Sequence, residues 1–269
     1  MHYLRWLAQQ MEKAGKTEYL IEEMQPSWLL PAYRLLYRLI VGLIVGLIFG
    51  LSGGLIFGLS SGLIFGLSSG LIFGLSGGLI FGLILGLIFE LETTIKPGDK
   101  LTWSTKQGLI GGVIGGVIGG TFFGLIVGLV VGLEKVSLEE KDFPNQGIRK
   151  LLQSILKITL IFGLIGGLRG GLAGGLESGL DGGLIFGLAG GLFFGLAGGL
   201  IFGLNTVVQH YTLRFLLAQE GNFPWDCVRF LDHAAKHRFI QRVGGRYRFM
   251  HDLLRKHFAY GELPSFPSR

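Results

Sequence analysis

The chain has 269 residues, of which 48 are glycine, 49% are hydrophobic and only 16% are charged. An ordinary soluble domain carries about 7% glycine and roughly 25% charge. Such hydrophobicity excludes a disordered chain, and the scarcity of proline, with no glycine at every third residue, excludes collagen. The net charge of +6 divides unevenly: residues 1–38 carry five Lys/Arg against four Asp/Glu, residues 39–204 nine of each, and residues 205–269 ten against five. The excess sits at the two ends, as in the cytoplasmic flanks of a membrane protein. Nucleic acid is therefore not an expected partner, and both termini are expected to be cytoplasmic. Cys227 is the one cysteine, which leaves no internal disulfide and no Cys-based zinc site.

Residues 1–34 read as an amphipathic helical segment, charged and without the apolar core of a secretory signal. Gly15-Lys16-Thr17 is the one run suggestive of a phosphate-binding loop. The glycine required five positions earlier is Gln10, and no buried strand precedes it.

From Leu39 to Phe89 there is no charge, and glycine falls at every fourth residue: Gly42, Gly46, Gly50, Gly54, Gly58, Gly62, Gly66, Gly70, Gly74, Gly78, Gly82 and Gly86. Four tandem octads of the type GLSGGLIF or GLSSGLIF cover Gly50 to Phe81. A second tract repeats the rule, with Gly112, Gly116, Gly120 and Gly124 among its members. A third runs from Gly163 to Gly203, including Gly187, Gly191, Gly195 and Gly199. In water a dozen helical glycines would cost on the order of 12 kcal/mol. In hydrocarbon, unpaired backbone groups force the helix regardless of propensity, and small residues at spacing four let helix backbones approach closely. These glycines are the expected helix-packing positions.

A crossing needs about 20 residues. Residues 35–204 are thus expected to form a multi-span transmembrane bundle with spans near 39–59, 70–89, 108–133, 151–168 and 182–204. The first tract would turn near Ser60–Ser69. Residue 157 is a lysine within the marginal fourth span, and Arg169, Glu177 and Asp181 read as an exposed turn. Five spans would place the ends on opposite sides, against the charge partition, so the crossing number stays open.

The last segment has the pattern of a soluble unit. A helix Asn205–Gln219 ends at Glu220-Gly221. Asp226 caps a helix reaching about His237, and Phe239–Val243 and Arg246–Met250 flank a Gly244-Gly245 hairpin turn. A helix His251–Tyr260 closes the unit, with Leu253, Leu254 and Phe258 inward. Residues 205–260 are expected to be a small winged-helix-like cytoplasmic α+β module, and 261–269 a flexible tail. The fold class is mainly α. His233 and His237 lack a third ligand, and no catalytic constellation, metal site or cofactor site is expected.

PWDCVRFLDHAAKHRFIQRVGGRYRFMHDLLRKHFA resembles the winged-helix segment that closes many bacterial, especially cyanobacterial, NACHT-domain NTPases of the STAND type. HYLRWLAQQMEKAGKTEYLIEEMQPSWL resembles the piece that follows their ATPase core. The Gly-Leu tract entered through Tyr37–Leu47 resembles the membrane block found between those two pieces. The resemblance implies a membrane anchor or effector portion of a signalling or defence NTPase in the bacterial inner membrane, without a catalytic site of its own. Its expected partners are the lipid bilayer, further copies of itself, or an NTPase domain encoded upstream. The alternatives are a small channel or transporter, or a passive glycine-zipper scaffold.

Overall fold

The computed structural model describes residues 1–65, 72, 76, 77, 80, 84, 100–136 and 142–261. The chain is mainly helical. Helix α1 (His2–Lys13) is followed by two short 3-10 turns and by α2 (Pro31–Phe65). A ribbon of β1 (Lys100–Trp103) and β2 (Leu133–Val136) embraces α3 (Thr105–Gly132). Then come α4 (Gln146–Gly199), a π-helical turn at Leu200–Leu204, and α5 (Asn205–Gln219). Helix α6 (Cys227–Lys236), strands β3 (Ile240–Val243) and β4 (Arg246–Phe249), and α7 (Asp252–Tyr260) complete the chain.

The two ends share one core. In α1, Leu4, Leu7, Ala8 and Met11 recur at helical spacing and are buried. They join Leu213, Leu216 and Leu217 of α5, Cys227 and Leu231 of α6, and Tyr247 and Phe249 of β4. Asp226 caps α6, its carboxylate accepting from the Arg229 amide at 3.2 Å. Strands β3 and β4 pair antiparallel, Val243 opposite Arg246, around Gly244-Gly245. Residues 1–34 are not helical throughout, because α1 stops at Lys13 and Gly15 takes a left-handed φ of 63°. The inward face expected of the last helix is also corrected: Leu254 and Phe258 pack on the core, whereas Leu253 is exposed.

Two helical stretches, Pro31–Gly54 and Gln146–Gln219, are long and apolar enough to cross a membrane. Helix α2 continues through Ser60 to Phe65, a length of about 52 Å, and the remainder of the expected turn, 66–69, lies outside the described residues. A serine does not demand a turn, since its hydroxyl can donate to its own helix, as Ser52 does to the Ile48 carbonyl at 2.6 Å. The expected span 70–89 lies outside the described residues apart from five single positions.

The expected single crossing at 108–133 is corrected. Strands β1 and β2 pair Lys100 with Val136 and Trp103 with Leu133, and the Ser104 amide donates to the Gly132 carbonyl at 2.8 Å. Both ends of α3 therefore lie side by side, and α3 doubles back between Val117 and Gly124. Each leg is about 20 Å long, too short for a hydrocarbon core of about 30 Å.

The spans expected at 151–168 and 182–204 are the two legs of one hairpin. Helix α4 breaks at Gly179 (φ 71°, ψ −161°), a left-handed conformation that glycine adopts without steric cost. The legs return to the module together, Gly203 sitting against Leu151 and Ile155. Helix α2 runs antiparallel to the second leg, with Gly53 beside Phe193. Leu133, at the foot of α3, packs with Ile158, Phe162 and Phe202 on the module side.

Candidate functional site

Each hairpin closes on glycine. In α4 the first leg presents Gly163, Gly167 and Gly171 to Gly191, Gly187 and Gly183 of the second, backbone against backbone. A Cβ on Gly187 would lie 3.2 Å from the Gly167 carbonyl oxygen, one on Gly191 3.1 Å from that of Gly163, and one on Gly195 2.8 Å from that of Thr159. A Cβ on Gly199 would lie 2.6 Å from the Thr159 hydroxyl oxygen. In α3, a Cβ on Gly124 would lie 2.7 Å from the Gly116 amide nitrogen, and one on Gly112 3.5 Å from the Gly124 carbonyl oxygen. Gly120 lies at the reversal. In α2, Gly42, Gly46, Gly50, Gly54 and Gly58 are buried, and Gly62 lies within the helix. Gly66, Gly70, Gly74, Gly78, Gly82 and Gly86 lie outside the described residues.

Several approaches as close as any on the every-fourth-residue positions fall on glycines that this rule passes over. A Cβ on Gly166 would sit 2.7 Å from the Gly190 carbonyl oxygen, and one on Gly190 2.7 Å from that of Gly166. Gly170 meets the Phe186 carbonyl more tightly still. Most belong to the doublets Gly166-Gly167, Gly170-Gly171, Gly174-Gly175, Gly182-Gly183 and Gly190-Gly191. A doublet puts hydrogen on two adjacent faces of the helix, so one leg can seat against the other over a wide strip. The doublets are the signal in the sequence that marks these positions.

Outside this seam the α4 surface is leucine. Leu164, Leu168 and Leu172 on one leg and Leu184, Leu188 and Leu192 on the other are exposed. They rim a glycine-floored groove of about 820 Å³. A similar groove of about 600 Å³ runs along α3 between Leu109, Val113, Leu125 and Leu129. At the tip, Leu176 and Leu180 are 89% and 88% exposed beside the exposed Glu177 and Asp181. Arg169 lies on the same leg, also exposed.

The polar candidates resolve into structural roles. Gly15-Lys16-Thr17 is the turn leaving α1: the Lys16 side chain pairs with Glu23, and its carbonyl accepts from Arg255. Asp252 binds Arg255 at 2.6 Å and Lys256 at 3.2 Å. The exposed rings of His233 and His237 are 4.6 Å apart. Among the described residues no three His, Cys, Asp or Glu side chains converge on a metal position. The buried Cys227 thiol donates to the Pro224 carbonyl at 3.2 Å, and burial pushes its pKa up, the opposite of an activated nucleophile.

Comparison of the chain with family models, with curated proteins and with solved structures returns no match.

Proposed function

We propose that the chain is an integral membrane protein whose two termini form one cytoplasmic module, serving as the anchor and effector part of a NACHT-type signalling NTPase assembly. The observation that carries the membrane reading is the surface of α4, where leucines exposed along both legs surround a seam of glycine backbones. Water would penalise both features, whereas lipid leaves the leucines uncharged neighbours and rewards close backbone packing. The glycine contacts act as zippers under this reading. The link to a NACHT-type partner rests on the resemblance of the two terminal segments, which pack here into a single core.

Under this reading α4 crosses twice, α3 enters from the module side and turns back within the bilayer, and both termini share one side. Cysteines introduced singly in a Cys227→Ser background test it in sealed vesicles. Ser104→Cys is expected to label from the same side as the N-terminus, and Ser178→Cys from the opposite side. Labelling of both from one side, or extraction of the chain by carbonate, overturns the reading.

A conducting role is the second reading, favoured by one observation: the legs of α3 are shorter than a crossing, as paired half-helices in channels and transporters are. Dye release from vesicles when the protein is clustered tests it; tight vesicles leave an anchor.

A further inference from the structure

We infer that the belt where the helices leave the module binds the headgroups of anionic phospholipids. The inference rests on the membrane reading above and names the lipid class that the molecule selects.

Cations collect at one level of the helical bundle. Arg149 and Lys150 open α4, and Lys157 follows two turns later; all three are exposed or half-exposed. Gly53 lies beside Phe193, so Arg38, fifteen residues earlier on the antiparallel α2, falls near residue 208. Gly203, five residues before that, touches Leu151 and Ile155. Arg38 is thus about a turn from Arg149 and Lys150 in height. Among the described residues none of these four cations has a carboxylate within ion-pair distance. Asp142 is an exposed acid near them, whereas Glu22 and Glu220 are engaged by the amides of Gly147 and Leu30 at 2.8 and 3.0 Å.

The spacing matches a bilayer. From Lys157 to Gly179 the first leg rises about 33 Å, and from Arg149 about 45 Å. A hydrocarbon core is about 30 Å thick, and about 40–45 Å with its headgroup layers. With the tip carboxylates of Glu177 and Asp181 in the far headgroup layer, Lys157 reaches the near edge of the hydrocarbon, and Arg149 and Lys150 lie among the near headgroups. Lys and Arg thus gather at one end of the bundle, the arrangement that sets a cytoplasmic side and meets the anionic leaflet.

The test uses the full chain in vesicles of phosphatidylcholine mixed with phosphatidylglycerol, with spin-labelled forms of each lipid reporting association. The expected result is a preference for phosphatidylglycerol of about fivefold or more. It should fall toward unity in the triple variant Arg149→Gln, Lys150→Gln, Lys157→Gln, and in high salt. Equal association of both lipids with a chain that resists carbonate extraction overturns the inference and leaves the membrane reading standing. Extraction by carbonate overturns both.

Discussion

Tyr19 and Tyr247 exchange both of their backbone hydrogen bonds, Tyr19 donating to the Tyr247 carbonyl at 2.7 Å and Tyr247 to the Tyr19 carbonyl at 2.9 Å. A residue near the start of the chain thereby continues the β3–β4 hairpin near its end as an isolated antiparallel bridge. Glu18 supports it, pairing with Arg246 at 3.0 Å. Tyr19→Pro removes one donor and is expected to destabilise the module by about 1–3 kcal/mol. Hydrogen exchange at the Tyr247 amide checks this; unchanged protection would mean that the hairpin stands without the N-terminal segment.

Arg255 joins the same two ends by charge. Its guanidinium is largely buried, binds the Asp252 carboxylate at 2.6 Å, and lies 3.2 Å from Glu12 as an ion pair without hydrogen-bond alignment. Arg255→Ala leaves Glu12 facing an unpaired site. The expected cost is about 3 kcal/mol, whereas Lys256→Ala, at the exposed end of the cluster, costs under about 1 kcal/mol. Denaturant melting of the two variants separates them, and equal midpoints would refute the assignment.

The glycine doublets make opposite predictions at neighbouring sites. Gly166→Ala drives a methyl to 2.7 Å from the Gly190 carbonyl oxygen and is expected to destabilise the hairpin by about 1–3 kcal/mol. At Gly175 the nearest atom to a new Cβ is Gly183 Cα at 3.8 Å. There alanine fits and gains helix propensity, up to about 1 kcal/mol. Thermal unfolding in detergent should move in opposite directions for the two variants.

The module should weaken in alkali. Burial pushes up the pKa of the Tyr19 and Tyr247 phenols and of the Cys227 thiol, and Tyr247 also donates to Asp232 at 2.9 Å. Each group holds its proton more tightly folded than unfolded. Its contribution is therefore complete below the unfolded pKa and is lost progressively as pH climbs from roughly 9 toward each group's raised folded value. Tyr247→Phe should flatten the upper part of that decline and Cys227→Ala the lower part; a decline identical in both variants would assign it elsewhere.

The mainly helical character could be read from uncharged tracts with helical spacing, and the β3–β4 turn from Gly244-Gly245 between alternating residues. The doubling back of α3 could not. Gly119-Gly120 at its reversal has the same composition as Gly111-Gly112 and Gly115-Gly116 within its first leg, so local preference does not distinguish turn from leg. What fixes the turn is distant, the pairing of Lys100 with Val136. The belt of cations was hidden for a related reason. Acids and bases cancel along the segments that carry it, and only the packing of α2 against α4 brings Arg38 level with Arg149. Every-fourth-residue counting found Gly187, Gly191 and Gly195 but passed over Gly166 and Gly190, because it treated a doublet as one glycine plus a filler.

The Tyr19–Tyr247 bridge also dictates an order of events during synthesis. The two residues are 228 positions apart, so at roughly 5–20 residues per second the ribosome needs roughly ten to fifty seconds to deliver the second after the first. Through that interval every Gly-Leu segment emerges while α1 still lacks its partners. On the membrane reading proposed above, insertion of these segments would precede closure of the head, and a ribosome stalled before β4 would leave a threaded but headless protein.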